Sequence, residues 1–344
     1  MHLRFPKPLV PGDLIAITAP SSGVSEPLHP RLDRTIDMLR QRGYRVVEGE
    51  CLRQEYKSAS ASREQRAVEL MRFLTDPGVA AVMPPWGGEL AIELLPLLDF
   101  ATLARLPPKW FVGFSDLSTL HVPLTTLAGW ATLHGPNLMQ LGWPKLDSVT
   151  AAIWEALTVQ PGSSFTQRAS CLHQRQDAGW PSANGPVFEE ETAWKRLDGK
   201  TSSLEFTGRL IGGCIDTISR LTGTRFGNVP GFVEAAGGEG ALLYLENAEL
   251  KPGKLARALV GLRLCGWFDG VSAVLMGRNA VADDEGSDGL RYVDALQSEL
   301  GDLPCPVIYD MDIGHVPPQL SLVNGALARV SVGDGGGTVE QWLG

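Results

Sequence analysis

Short apolar runs alternate with amphipathic stretches along the chain as far as Thr158. The runs in "DLIAITAP", "RVVEGE", "VAAVM" and "KWFVGF" predict buried strands. A stretch such as "RLDRTIDMLRQRGY" repeats apolar residues at helical spacing and ends at a glycine, which predicts a helix. Strands and helices in alternation indicate a mostly parallel sheet covered by helices on both faces.

The pattern lapses after Thr158 and returns near residue 206. Residues 160–205 are rich in Gln, Ser, Gly, Glu and Pro and show no clear periodicity, so we predict a linker with a long loop. Beyond it, "GALLYLEN", "VSAVLMGR" and "PVIYDMDIG" predict strands between helices, and the tail predicts a β-hairpin. We therefore predict an α/β protein of two domains, residues 1–160 and 206–344, joined by residues 161–205.

Composition narrows the classes of protein to which the chain can belong. Its 344 residues are 44% hydrophobic and 20% charged, as in soluble globular proteins. The net charge is −9 and no Lys/Arg-rich cluster occurs, which argues against nucleic acid or an anionic membrane as a partner. The five cysteines are scattered, and no signal-peptide core or bilayer-spanning run is seen, so we expect a cytoplasmic location.

Polar residues stand where three predicted strands end. Ser115 follows "WFVGF", Glu246 follows "ALLYL" and His315 follows "VIYDMDIG". Ligand sites of α/β sheets lie at the carboxyl ends of strands, and an alcohol, a carboxylate and an imidazole supply the groups for acyl transfer. Simpler interpretations are also open: Ser115 or Asp116 as a helix cap, Glu246 as a solvent-facing charge and His315 as a structural loop residue.

Motifs for bound metals and nucleotides are missing from the sequence. No H-E-x-x-H pattern or clustered Cys/His spacing occurs, so we expect no metal site. The Gly turns in "PWGGEL" and "IGGCID" match neither a P-loop nor G-x-G-x-x-G, so we expect no nucleotide cofactor. A Gly turn before a helix can still direct backbone N–H groups at an oxyanion.

Seven segments resemble the LD-carboxypeptidase family of serine peptidases, which includes muropeptide LD-carboxypeptidases and microcin C self-immunity peptidases. In order they are "PGDLIAITAPSS", "WGGELAIELLPLLDF", "GFSDLSTLH", "HGPN", "GRLIGGCIDTI", "LLYLEN" and "DIGHVPPQLSLVNGALA". The resemblance implies a triad of Ser115, Glu246 and His315, with an oxyanion hole made by the backbone amides of Gly88 and Asp116. It also implies an active site between two α/β domains, a homodimer and no cofactor.

Two positions bear on the substrate that this resemblance implies. The family often has G-G-N where this chain has Gly212-Gly213-Cys214, so a thiol replaces an amide at a predicted substrate-binding position. Immunity-type members carry a tryptophan that stacks on a nucleobase, and Trp194 in the loop "EEETAWKRLDGK" is the matching candidate. The alternative for Trp194 is packing at a domain or dimer interface.

The sequence thus predicts a serine-type carboxypeptidase acting on a small peptide or on a peptidyl- or aminoacyl-nucleotide like microcin C. One alternative is an LD-carboxypeptidase of murein peptide recycling. A second alternative is a non-catalytic protein that binds a small ligand in its interdomain cleft. Such a protein keeps the Gly turns but does not need all three triad residues.

Overall fold

The computed structural model describes residues 2–179, 184–283 and 288–344. Its strands, in chain order, are β1 Leu14–Ile17, β2 Arg45–Glu48, β3 Val79–Val82, β4 Trp110–Gly113, β5 Thr132–His134, β6 Ser164–Arg168, β7 Leu172–Gln174, β8 Phe188–Glu191, β9 Lys195–Arg196, β10 Leu204–Cys214, β11 Ala241–Glu246, β12 Ala273–Gly277, β13 Val307–Met311, β14 Leu322–Asn324, β15 Leu327–Gly333 and β16 Gly336–Trp342.

The α-helices are α1 His29–Gln41, α2 Arg63–Thr75, α3 Phe100–Leu103, α4 Ser118–Thr126, α5 Leu138–Leu141, α6 Ser148–Ala151, α7 Ile153–Thr158, α8 Ile215–Ile218, α9 Val229–Ala236, α10 Pro252–Leu264 and α11 Tyr292–Leu300. Short 3₁₀ turns cover Glu26–Leu28, Ala91–Leu97, Ser115–Leu117, Gln176–Ala178, Ser219–Leu221, Arg225–Gly227 and Gly237–Glu239.

Local sequence explains how several of these elements begin, end and pack. Helix α1 buries Leu32, Ile36 and Leu39, the apolar face predicted from their spacing. Helix α2 begins at a capping box in which Ser62 and Gln65 satisfy each other's backbone N–H groups. The helix predicted after the first Gly-Gly turn is a 3₁₀ helix that contains Pro96, which has no N–H for a regular α-helical bond.

The first sheet has the strand order β14-β5-β4-β3-β1-β2. Strands β1 to β5 are parallel to their neighbours, and β14 pairs antiparallel with β5. Because β14 comes from the C-terminal part of the chain, the two predicted domains share this sheet. Ser115 follows β4, in the middle of the sheet.

The second sheet has the strand order β6-β16-β15-β10-β11-β12-β13-β9. Strands β10 to β13 are parallel, and the predicted C-terminal hairpin β15–β16 pairs antiparallel with them through β10. Residues 161–205, predicted as a linker, differ from that expectation: they contribute β6 and β9 to opposite edges of this sheet. The mixed, mostly parallel architecture confirms the predicted α/β class.

Buried polar contacts fix the two sheets against each other. The Asn324 side chain accepts hydrogen bonds from the Gly212 amide at 3.2 Å and the Tyr244 hydroxyl at 2.8 Å, and it donates to Thr132 at 3.2 Å. The Ser118 hydroxyl accepts from the Cys214 amide at 3.0 Å. These contacts bring the end of β10 against the start of α4, so the carboxyl ends of both parallel sheets face one crevice. None of the helices in the described ranges has both the length and the continuous apolar run that crossing a membrane requires.

Candidate active site

Ser115 lies on a tight turn directly after β4. Its φ of +66° is in the left-handed region, which side chains other than glycine rarely adopt. The 3₁₀ helix that it begins has no side-chain cap, so the hydroxyl of Ser115 is not used to cap a helix. It lies 3.0 Å from Nε2 of His315 instead. A strained residue at a strand-to-helix turn is typical of functional sites.

Glu246 and His315 meet on the opposite side of the crevice. Glu246 ends β11 and is fully buried, and its Oε2 lies 2.7 Å from Nδ1 of His315. Two glycines make room for the carboxylate. A Cβ on Gly314 would lie 2.4 Å from Oε2 of Glu246, and one on Gly277 would lie 2.9 Å from its Cβ. Ser115, His315 and Glu246 therefore form one continuous hydrogen-bonded chain.

The carboxylate of Glu246 changes the basicity of the imidazole. Burial disfavours the charged ring, but the negative charge of Glu246 and its hydrogen bond, with smaller contributions from the charges of Asp216 and Glu249, together outweigh burial. The pKa of His315 therefore lies above its ordinary value of 6.5. With Nδ1–H donated to Glu246, Nε2 is left as the acceptor facing the Ser115 hydroxyl.

The Gly-Gly turn after β3 lies against the Ser115 turn. A Cβ on Gly87 would lie 3.0 Å from Oγ of Ser115 and 2.8 Å from the backbone N of Asp116, so a side chain there would fill the space in front of the hydroxyl. Gly88 has φ +143°, and a Cβ there would lie 2.4 Å from the Ser22 hydroxyl. Gly87 therefore keeps the space beside the Asp116 amide open, and Gly88 allows the turn to pack closely against Ser22.

The side chain of Asp116 holds the turn in place from behind. It is buried and accepts hydrogen bonds from the Ser21 hydroxyl at 2.5 Å, the Ala91 amide at 2.8 Å and the Thr119 hydroxyl at 3.2 Å. Burial raises the pKa of this carboxyl above its ordinary value, and the three hydrogen bonds oppose that shift. Asp116 thus ties the Ser115 turn to the loop after β1 and to the 3₁₀ helix after the Gly-Gly turn.

Trp194 lies away from this crevice, contrary to the stacking role expected from the sequence. It is 3% exposed and packs among buried residues of the second sheet. Its indole Nε1 donates to Oδ2 of Asp312 at 2.7 Å, and a Cβ on Gly337 would lie 2.7 Å from its ring. The tryptophan is enclosed by its own chain, so its face is not available to a base within this subunit.

The Asp312 carboxylate also binds Arg278, and Arg278 holds the loop that carries His315. The guanidinium is almost fully buried and lies 2.7 Å from Oδ1 of Asp312. It also donates to the carbonyl oxygens of Val316 at 3.0 Å and Pro318 at 2.5 Å. Trp194 thus holds Asp312 in place, Asp312 holds Arg278, and Arg278 holds the loop that carries the imidazole.

A cavity of about 440 Å³ opens over the Ser115 hydroxyl. Its wall contains the predicted residues Ser115, Asp116, Gly88, Cys214 and His315. It also contains residues outside the predicted site set: Ser22, Trp86, Gly87, Glu89, Ile92, Phe114, Thr119, Asn137, Asp216, Thr217, Arg220, Ala248 and Glu249. Trp86 could have been predicted as a site residue from the sequence, because it directly precedes the Gly-Gly turn. No motif in the sequence around Arg220 marks it as a site residue.

Cys214 lines the cavity but is poorly suited to act as a nucleophile. Burial, together with the charges of Glu246 and Asp216, holds its pKa well above the usual 9.0, so the thiol stays protonated. Cys214, Glu246 and His315 bring possible metal-ligand atoms within 4.8 Å of one another. Both ring nitrogens of His315 are already hydrogen-bonded to Ser115 and Glu246, so the arrangement favours proton transfer over metal binding.

Several known proteins are similar to this chain over nearly their whole length. Of the curated proteins, one from Vibrio cholerae named as a carboxypeptidase is 29% identical over 92% of both chains. The microcin C7 self-immunity protein MccF of Escherichia coli is 25% identical over 93% of this chain and 91% of its own. A Bacillus subtilis protein named as a murein peptide carboxypeptidase is 25% identical over 97% and 94%.

Solved structures show the same fold. An MccF-like protein from Bacillus anthracis superposes with a TM-score of 0.82 at 22% identity, covering 99% of both chains. MccF in complex with glutamyl sulfamoyl guanosine gives 0.79 at 22% identity, covering 98% of both. Two family models match in chain order, the LD-carboxypeptidase N-terminal domain over residues 15–135 and the C-terminal domain over residues 207–330. This chain belongs to the LD-carboxypeptidase family of serine peptidases.

Proposed function

We propose that the chain hydrolyses an amide bond by a Ser115–His315–Glu246 triad. The observation that carries this proposal is the continuous hydrogen-bonded chain of these three groups, at 3.0 and 2.7 Å, beneath an open cavity. A non-catalytic binding protein does not need a buried carboxylate aligned with an imidazole and a strained serine. The family's peptide-bond hydrolysis and this geometry support the same reaction.

Each group has a defined task in the proposed reaction. Nε2 of His315 takes the proton from Ser115 as Oγ attacks the scissile carbonyl, and later gives it to the leaving amine. Glu246 fixes the ring tautomer and stabilises the imidazolium that forms. The amides of Gly88 and Asp116 stabilise the oxyanion. Loss of one such donor typically raises the activation free energy by about 3 kcal/mol.

The substrate that we propose is a small peptide or an aminoacyl- or peptidyl-nucleotide. The printed names of relatives support both, since one is a self-immunity protein against microcin C7 and another a murein peptide carboxypeptidase. MccF has also been solved with aspartyl sulfamoyl adenosine and glutamyl sulfamoyl guanosine bound. The position of Trp194 gives no support for nucleobase stacking in this subunit. The homodimer and the cytoplasmic location stay predictions.

Replacement of Ser115 by alanine tests the reaction most simply. We expect kcat to fall by at least about 10⁴-fold on an L-acyl-D-alanine peptide or an aminoacyl-sulfamoyl nucleotide, whichever the wild type turns over, because no oxygen remains to attack the carbonyl. Turnover is measured by chromatography of the products. Ser163→Ala, at an exposed serine outside the cavity, is the matched control and should match the wild type. Undiminished turnover by Ser115→Ala would rule out the mechanism.

The pH profile tests the coupling between His315 and Glu246. Only neutral His315 can accept the Ser115 proton, so kcat/KM should fall as the pH drops through the raised pKa, with the midpoint above 6.5. In Glu246→Gln the two largest raising influences are gone, while burial and the weaker effects of Asp216 and Glu249 remain, so the midpoint should move to lower pH while kcat falls by about 10²–10⁴-fold. A midpoint that does not move between the two proteins would contradict the proposed coupling.

Arg278 is proposed as a positioning residue that acts through the loop of His315. Arg278→Lys keeps the charge beside Asp312 but cannot hold both Val316 and Pro318 carbonyls in the same geometry. We expect kcat to fall by about 10- to 100-fold with KM within about threefold, because a small misplacement of the imidazole slows proton transfer but leaves the cavity intact. The measurement is steady-state kinetics, with thermal unfolding to verify the fold.

The matched control for this variant is Arg263→Lys, which alters an exposed arginine paired with Asp302. It should leave both constants at wild-type values. If Arg278→Lys leaves kcat unchanged, or changes only KM, then the hydrogen bonds of Arg278 to the loop do not position His315.

A further inference from the structure

The active-site cavity has one strongly basic group on its wall. Among the lining residues, in the part of the chain that the structure describes, Arg220 is the single lysine or arginine. It lies in the 3₁₀ turn Ser219–Leu221 that follows α8, and its side chain is exposed to solvent. Four acidic residues, Glu89, Asp116, Asp216 and Glu249, line the same cavity.

The guanidinium of Arg220 is not committed to any group of the protein. Within residues 2–179, 184–283 and 288–344 it forms no hydrogen bond and no ion pair within 4 Å. Its nearest acid in sequence is Asp216, whose two carboxylate oxygens accept from the backbone amides of Ala248 at 2.9 Å and Glu249 at 2.8 Å. Asp216 therefore serves to hold the loop after β11, and Arg220 is left available to a ligand.

We propose that Arg220 binds the free carboxylate of a peptide substrate, the one on the C-terminal residue that hydrolysis releases. This inference rests on the proposed function and narrows its substrate class. A guanidinium presents parallel N–H donors that match the two oxygens of a carboxylate, and such charge-assisted pairs give both affinity and orientation. Binding of the carboxylate there holds the preceding amide over Ser115, in the same cavity.

The surrounding acids limit what else the cavity accepts. A monoanionic carboxylate needs one cation, which Arg220 supplies. A ligand that brings a second anionic group into the cavity places it among Glu89, Asp116, Asp216 and Glu249, and like charges at short range repel. The charge distribution therefore favours a ligand with a single anionic group placed at Arg220.

Binding to the Ser115→Ala protein tests this proposal independently of turnover. Calorimetry compares an L-acyl-D-alanine peptide carrying a free carboxylate with the same peptide as its C-terminal carboxamide, with and without Arg220→Met. We expect the acid to bind at least about tenfold more tightly than the amide, and Arg220→Met to remove that difference by weakening the acid alone. Arg220→Lys should restore part of it, because the charge remains.

Arg257→Met is the matched control, since it removes one exposed positive charge from α10, outside the cavity. It should leave both affinities unchanged. A third arm uses an aminoacyl-sulfamoyl adenosine, whose affinity should change less than about threefold in Arg220→Met.

Three results would overturn the assignment of Arg220: absence of acid-peptide binding, equal affinity for acid and amide, or a loss in Arg220→Met confined to the nucleotide analogue. Wild-type kinetics on the same two peptides separates this failure from failure of the proposed function. Turnover of acid and amide at equal kcat/KM refutes only the carboxylate site. No turnover of either peptide or of the nucleotide analogue refutes the hydrolase itself.

Discussion

The hydrogen bond between Glu246 and His315 is the interaction on which the site depends. A carboxylate with no exposed surface is costly to bury unless a partner faces it, and the imidazole at 2.7 Å is that partner. The same contact decides the tautomer and raises the pKa of the ring. Stability of the buried charge and basicity at Nε2 therefore arise from one geometry, and the strands and loops around it serve to hold that geometry.

Distant parts of the chain must converge to make this contact useful. Glu246 and His315 are 69 positions apart, and Ser115 is 200 positions before His315. Each follows or ends a strand of a parallel sheet, and the two sheets are fixed to each other by the hydrogen bonds of Asn324 and Ser118. Because β14 crosses from the C-terminal part of the chain into the first sheet, the crevice is built into the fold rather than formed by loose docking of two domains.

Much of this arrangement was predictable from the sequence because it follows local rules. Buried strands show as apolar runs, and polar residues just beyond them fall at one edge of a parallel sheet. The triad positions Ser115, Glu246 and His315 and the Gly88 turn were found in this way, together with the family resemblance. The strands in residues 161–205 were missed because β6 and β9 carry a single apolar residue between them, Phe165, and gain their stability from neighbouring strands rather than from their own periodicity.

Side-chain roles that depend on three-dimensional neighbours were not predictable. Trp194 lies in a polar loop sequence yet is buried, because Asp312 accepts from its indole and Gly337 leaves space for its ring. In the sequence, nothing distinguishes Arg278 from other arginines that follow a strand. Its hydrogen bonds to the loop that carries His315 are seen only in the folded chain. Arg220 likewise has no motif; its significance comes from the charges and the cavity that surround it.

Covalent labelling with a fluorophosphonate, mapped by peptide mass spectrometry, tests the central claim most directly. Serine hydrolase triads react with such probes because the imidazole removes the proton of the attacking alcohol. We predict one phosphonyl adduct, on Ser115, forming at least about 10²-fold more slowly in His315→Ala, in keeping with the usual contribution of a general base. An adduct on another residue, or labelling of Ser115 at a rate that does not depend on His315, would contradict the account.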